Sequence, residues 1–286
     1  MPSSKSAHLT GRGSRISTDR AAQFVVIERA DDERLATFRL NERGLASRRS
    51  KRDDGGAGLF LAEGDLVVER ALEAGCRPSR ALVDGSRIPV VADRFVDGGG
   101  EVLIGGDEVR RMVAGLGVLH SIVAVFHRPR RPSAGELIGA CERLVIVEGV
   151  DNPANIGSIV RNAAAMGWDG LLLDHTSADP LSRRALRVAM GTAFSLPHAR
   201  TTNLFAEVSG MSDRRLYALT PDPAAVDIGT IDISSDQRRA ILIGSERNGL
   251  SDEVLSITTS VRIPMAAGVD SLNAAAAAAV ACFALS

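Results

Sequence analysis

Three short stretches carry the residues best suited to chemistry. The first is NPANIGSIVRNAAAMG (152–167), a pattern of small and apolar residues with one arginine, Arg161, in its middle. Asn155 stands where a helix N-cap is expected, and Gly157 relieves crowding in the first turn. Ile156, Ile159, Val160, Ala163 and Met166 follow at the spacing of one buried helix face. Arg161 is off that face, four residues from Gly157 and three from Ser158, so it points along the side of the helix start. A cation there suits an anionic ligand; it also suits an ordinary solvated face.

The second stretch is LIGSERNGLSDEV (242–254). An apolar strand pattern runs directly into Gly244, Ser245, Glu246 and Gly249. Ligands of open α/β sheets sit beyond the carboxyl ends of strands, and glycine there lets a ligand approach the backbone. A plain strand–turn–helix connection with Ser251 as N-cap reads equally well. The third stretch is RIPMAAGVDSLNAAAAAAVACFALS (262–286). Pro264 ends a strand, a loop leads to Asp270 and Ser271, and Leu272 and Asn273 open a helix made almost wholly of alanine. Alanine has the highest helix propensity and the smallest side chain, so another backbone can approach closely. Core packing does not account for polar Ser271 and Asn273 at the mouth of that helix.

The elements that must position these stretches alternate. RLVIVEGV (143–150), GLLLDH (170–175), RLYALT (215–220), RRAILIGS (238–245) and SVRIPM (260–265) read as strands. Helices are expected from about Asn155, around 181–190, 203–209 and 252–256, and from Ser271 onward. Strands alternating with helices predict a parallel sheet covered on both faces. Upstream, LFLAEGDLVVERALEAG (59–75) reads as a strand and then a helix burying Leu66, Val67, Ala71 and Leu72. SRALVD (79–84), PVVAD (89–93) and HSIVAVFH (120–127) add strand candidates, and 106–117 a helix. The expected organisation is a flexible tail at 1–20, a small α/β unit at 21–128, a Pro- and charge-rich linker at 129–140, and a larger α/β domain at 141–286.

Composition sets bounds. With 286 residues, 45% apolar and 3% aromatic, the core must be aliphatic. A formal charge of −1 gives no global sign of a nucleic-acid partner, so local clusters matter more. Three scattered cysteines, Cys76, Cys141 and Cys282, support neither a metal site nor a disulfide framework. No signal peptide or spanning segment is read, so a cytoplasmic protein away from membranes is expected. No G-x-G-x-x-G follows an early strand, which argues against a dinucleotide-dependent dehydrogenase.

Together and in this order, the three stretches resemble the motifs of the SpoU/TrmH class of SPOUT RNA 2′-O-ribose methyltransferases. The first is similar in Asn155-Ile156-Gly157 followed by Arg161. The second is similar in Gly244-Ser245-Glu246 with Gly249 and Leu250, and the third in Ile263-Pro264-Met265 followed by Ser271-Leu272-Asn273. The resemblance covers roughly 143–286, and 59–75 is similar to the start of a small substrate-binding domain often fused to such enzymes.

The resemblance implies a parallel-sheet domain with a deep trefoil knot, plus a small N-terminal α/β substrate-binding domain. It implies a homodimer with its site across the interface, and S-adenosylmethionine against Thr220, Ile243, Gly244, Ile263, Met265, Ser271 and Leu272. Arg161 would activate the ribose 2′-hydroxyl, with Asn155, Glu246 and Asn273 orienting it and the ribose. The expected substrate is RNA, with ribosomal RNA favoured over transfer RNA because the chain ends soon after the last motif helix and carries a fused N-terminal domain. A transfer-RNA enzyme, and a non-catalytic RNA-binding or ribosome-assembly protein, are the alternatives. Candidate RNA contacts are Arg48, Arg49 and Arg52, then the 127–132 stretch, then Arg183, Arg184 and Arg187.

Overall fold

A computed structural model describes residues 24–46, 58–114, 120–233 and 237–286. Among these, the strands form two sheets. The smaller holds β1 (Phe24–Ile27), β2 (Leu59–Glu63), β3 (Pro78–Asp84), β4 (Glu101–Gly105) and β5 (Ile122–His127) in the order β1-β4-β3-β5-β2. β2 and β5 pair antiparallel, as do β3 and β5; β1, β4 and β3 are parallel. The larger holds β6 (Arg143–Val147), β7 (Gly170–Leu173), β8 (His198–Arg200), β9 (Arg215–Leu219), β10 (Val226–Asp227), β11 (Arg239–Ile243) and β12 (Thr259–Arg262). Its order is β10-β12-β9-β11-β6-β7-β8, and every neighbouring pair is parallel.

The strand pattern explains the layers. Side chains alternate faces along a strand. Val145 and Val147 therefore face one core with Leu171, Leu173, Ile241 and Ile243, beneath the helices Pro153–Ala165, Arg183–Val188 and Ala274–Ala284. Leu144, Ile146, Leu172 and Leu242 face the other, beneath Ala134–Ala140, Leu204–Ser209 and Asp252–Ser256. The first core continues into the smaller unit through Phe60, Phe95 and Phe126, with Phe60 against Phe194 at 5.5 Å.

Polar ties reinforce this junction. Arg183 donates its Nε to Glu63 Oε1 at 2.6 Å and its backbone N–H to Glu42 at 2.8 Å. Arg128 pairs with Asp179 at 2.6 Å. Burial pushes the Asp179 carboxyl up, but the Arg128 guanidinium and the Leu181 N–H outweigh it and hold the group well below the carboxylate range. Burial holds Glu42 above it.

Several local expectations change. Residues 91–97 form a helix, not a strand at 89–93, because Val91, Ala92, Phe95 and Val96 bury one helical face. β1, β4 and β8 were not foreseen. The segment expected as linker contains a helix at 134–140, started by a reciprocal capping box between Ser133 and Glu136. In the 65–73 helix Val68 is buried and Leu66 is exposed. The last helix starts at Ala274, three residues later than read. No helix among the described residues is long and apolar enough to cross a membrane.

Candidate active site

The chain leaves β6 through Gly149 and enters the 153–165 helix. Asn152, not Asn155, caps that helix, its Oδ1 accepting from Ala154 N at 3.0 Å, with Pro153 in the first turn. Proline suits this position because its missing N–H has no helical partner there. Asn155 is thereby carried one turn inward and is buried. Gly157 permits a close crossing: a Cβ there would lie 2.5 Å from the Ala185 carbonyl oxygen.

The second stretch leaves β11 and folds back on itself. Ser245 and Gly249 exchange backbone hydrogen bonds at 3.2 and 3.0 Å, with Gly249 in the left-handed region at φ 67°. A Cβ on Gly244 would lie 2.0 Å from the Gly249 carbonyl carbon, so only glycine closes this turn. Glu148 accepts the Ser251 N–H at 2.9 Å and joins the turn to the end of β6. Ser251 occupies the N-cap position of the 252–256 helix but makes no side-chain capping bond.

Asn273 begins the third stretch's helix. Its Oδ1 accepts from Ala275 N at 3.0 Å and Ala276 N at 3.3 Å, which fixes which end of the amide faces out. Its Nδ2 then donates to Glu246 Oε1 at 2.7 Å and to Asn155 Oδ1 at 3.1 Å. Asn155 Nδ2 donates to the same Glu246 oxygen at 2.7 Å. Three segments far apart in sequence thus meet in one closed hydrogen-bonded ring. Beside it opens a cleft of about 340 Å³, within the usual range for small-molecule sites. Thr220, Ile243, Gly244, Ile263, Met265, Ser271 and Leu272 all line it, with Glu246 at its edge. It lies beyond the carboxyl ends of β9, β11 and β12, beside the point where chain order reverses about β6.

Arg161 does not join this ring. It lies six residues beyond Asn155, about 9 Å along the helix and on another side of it. It is exposed, makes no hydrogen bond or ion pair to another described residue, and lines a separate cleft with Arg70 and Met190. Within one chain, Asn155, Glu246 and Asn273 therefore make no contact with Arg161; the expectation placed the site across a dimer interface.

Asp174, which sequence reasoning missed, fixes the neighbouring loop. It accepts from Gly149 N at 3.0 Å and Ser177 N at 3.0 Å, and from the Thr176 and Ser177 hydroxyls. Burial opposes its charge, but these donors hold its carboxyl below the usual range. Its place directly after the apolar run of β7 was the available signal.

The basic patches change meaning. Arg48, Arg49 and Arg52 lie outside the described residues. Arg128 and Arg131 are buried, so the 127–132 stretch is not an open basic surface. Arg183 and Arg187 pair with Glu63, while Arg184 is exposed. All three cysteines are buried; burial alone pushes the Cys76 thiol to about 11 and Cys282 to about 12, which makes both unreactive.

Comparison with known proteins agrees with this arrangement. Residues 142–283 match the family described as SpoU rRNA Methylase. A Mycobacterium bovis protein described as an uncharacterized tRNA/rRNA methyltransferase is 36% identical over 256 residues, covering 88% of each chain. The chain belongs to the SpoU methylase family. Among solved structures, an AdoMet-bound rRNA methyltransferase from Sinorhizobium meliloti superposes with a TM-score of 0.77 at 27% identity, covering 92% of this chain and 97% of that one. The SpoU methyltransferase AviRb from Streptomyces viridochromogenes, in complex with AdoMet, gives 0.71 at 26% identity, covering 88% and 96%. This SpoU-family chain shares their α/β architecture with a parallel-sheet domain.

Proposed function

We propose that this SpoU-family protein is an S-adenosylmethionine-dependent RNA methyltransferase acting on a ribose 2′-hydroxyl, with ribosomal RNA as its substrate. The observation that carries this reading is the Asn155–Glu246–Asn273 ring beside the 340 Å³ cleft. The cleft residues fit the cofactor. Leu219, Ile243, Ile263 and Leu272 give apolar walls for a flat base, Thr220 and Ser271 give hydroxyls, and Gly244 leaves no Cβ in the tight turn. AdoMet-bound relatives support the same cofactor.

Bound there, S-adenosylmethionine supplies a methyl group on a positively charged sulfur. The chain's contribution is positional and electrostatic. Glu246 holds the amides of Asn155 and Asn273 in one orientation, so the three motif segments present a fixed edge to the ribose. Fixed alignment of reacting groups lowers a transfer barrier by several kcal/mol, up to about 10. The 2′-hydroxyl is a weak nucleophile until its proton leaves. The Arg161 guanidinium would stabilise the negative charge developing on the 2′ oxygen and on a neighbouring RNA phosphate, while the hydroxyl proton passes to that phosphate or to water.

The reading includes a homodimer with the site across the interface, which would bring Arg161 to a cleft it does not reach within its own chain. Val280 and Phe283 expose apolar surface on the last helix for such a contact, Phe283 at 74%. It also includes a trefoil knot in a catalytic domain at 141–286, an RNA-binding unit at 21–128 and a cytoplasmic location. The test is transfer of labelled methyl to unmodified RNA, fractionated into ribosomal and transfer RNA. Label in ribosomal RNA that disappears with Arg161→Ala supports the reading. Label in transfer RNA alone overturns the substrate, and no label in any fraction overturns the activity.

A further inference from the structure

The cleft that holds Arg161 has a second wall, from the smaller unit. Leu66 and Arg70 of the 65–73 helix line it together with Arg161, Ala164 and Ala165 of the 153–165 helix and with Met190, Thr192 and Ser195. The cleft is about 350 Å³ and shares no lining residue with the cofactor cleft. Its chemistry is mixed in a specific way. Two guanidinium groups line it and no carboxylate does. Leu66 and Met190, both exposed, supply apolar surface from opposite units.

The backbone at Met190 is unusual. Met190 has φ 53°, the one non-glycine residue among those described that adopts positive φ. Such a conformation costs about 1 kcal/mol or more in an unbranched residue and persists where the surroundings impose it. Arg70 imposes it in part, donating Nη1 to the Met190 carbonyl at 2.6 Å. Gly191 follows with φ 80°, and a Cβ there would lie 3.2 Å from Arg70 Cδ. Held this way, Met190 keeps its side chain in the open cleft rather than in the core. Arg70 uses one guanidinium nitrogen for this bond and has others left to donate.

We propose that this cleft receives one nucleotide of the RNA substrate. Arg70 binds its phosphate, and Leu66 and Met190 form the walls against which its base lies. Two cations without a carboxylate select an anion, and an apolar slot beside them selects one with a flat uncharged part. The smaller unit thereby forms part of the substrate site itself. This inference rests on the proposed RNA methyltransferase activity.

The test uses the full-length protein and in-vitro transcribed ribosomal RNA. Arg70→Gln keeps a donor for the Met190 carbonyl and removes the charge; Arg70→Lys keeps both. Loss of one phosphate contact lowers the slope of log affinity against log salt by about 0.7–0.9. For Arg70→Gln the expected result is that lower slope with affinity reduced about tenfold, both largely restored in Arg70→Lys. S-adenosylmethionine affinity should stay unchanged in both, which shows that the fold is intact. Met190→Ala should raise KM for RNA several-fold without changing the salt slope. A wild-type salt slope in Arg70→Gln, or weakening of affinity with no change in slope, overturns the phosphate role. Wild-type KM in Met190→Ala overturns the base wall. Neither result touches the activity itself, which fails only when wild-type protein transfers no methyl group to RNA.

Discussion

Asn273 serves two purposes that substitution can separate. Its Oδ1 caps the last helix through two N–H groups, and its Nδ2 ties Glu246 to Asn155. Asn273→Ala removes both. Losing the cap costs about 1 kcal/mol, and losing the bond to Glu246 about 1 kcal/mol more, because both residues are solvent-exposed and water replaces part of it. The sum of about 2 kcal/mol lowers the melting temperature by roughly 5 °C in a chain of this size. Asn273→Asp keeps an oxygen over the Ala275 and Ala276 N–H groups and adds a charge that the helix N-terminus favours. It also sets a second carboxylate against Glu246, where the amide donated at 2.7 Å. With the two carboxylate charges about 4 Å apart, the repulsion is about 4 kcal/mol near a protein surface, so Glu246 must turn away and the ring opens. Thermal melting and methyl-transfer kinetics should therefore diverge. Asn273→Asp should recover most of the capping loss yet fall at least about 100-fold in kcat, as Asn273→Ala does. Wild-type kcat in Asn273→Asp would refute the claim that the ring orients the substrate.

Three further outcomes follow from the packing and the buried charges. Gly157→Ala gains about 1 kcal/mol of helix propensity but places a Cβ 2.5 Å from the Ala185 carbonyl oxygen, so urea melts should show net destabilisation of about 1–3 kcal/mol. Glu63→Gln removes the counter-charge of Arg183 at the junction of the two units; with Arg183 partly solvated, the loss should be about 2 kcal/mol, and an unchanged midpoint would show that the tie is dispensable. Burial, with Arg131 nearby, lowers His198 to about 4 from an ordinary value of 6.5. The unfolded chain then binds the proton first, so stability is full above about pH 6.5 and is lost as pH falls toward 4. At pH 5 the loss is about 2 kcal/mol, and it should be absent in His198→Gln.

The candidate site was more legible in the sequence than the frame around it. Asn155, Glu246 and Asn273 were named through the resemblance of their three stretches, taken together and in order, to the SpoU/TrmH motifs; each stretch alone also reads as ordinary structure. The residues of the candidate cofactor cleft came from the same resemblance; glycine at the strand ends indicated only that a ligand could approach the backbone there. Asn155 was nonetheless misread as a cap, because Asn152 and Asn155 both suit that role and only the Pro153 start decides between them. β8 was missed since His198 and Arg200 break its apolar pattern; Arg200 is buried by donating to the carbonyls of Asp174, Ser177 and Ala178. β4 was missed because glycines flank five residues on both sides. The junction between the units was invisible because Glu63, Arg128, Asp179 and Arg183 read as surface charge until tertiary contact pairs them. Arg161 was located correctly on its helix, but periodicity could not show that it faces a different cleft.

The central claim, methyl transfer to a ribose 2′ oxygen, is tested most directly by alkaline digestion of RNA labelled by the protein from methyl-labelled S-adenosylmethionine. Alkali cleaves RNA through attack by the 2′ oxygen on the adjacent phosphate, so a methyl group on that oxygen blocks cleavage at its own position. The account predicts label in alkali-resistant dinucleotides from ribosomal RNA, and none with Arg161→Ala. Label released in mononucleotides would place the methyl group on a base and contradict it.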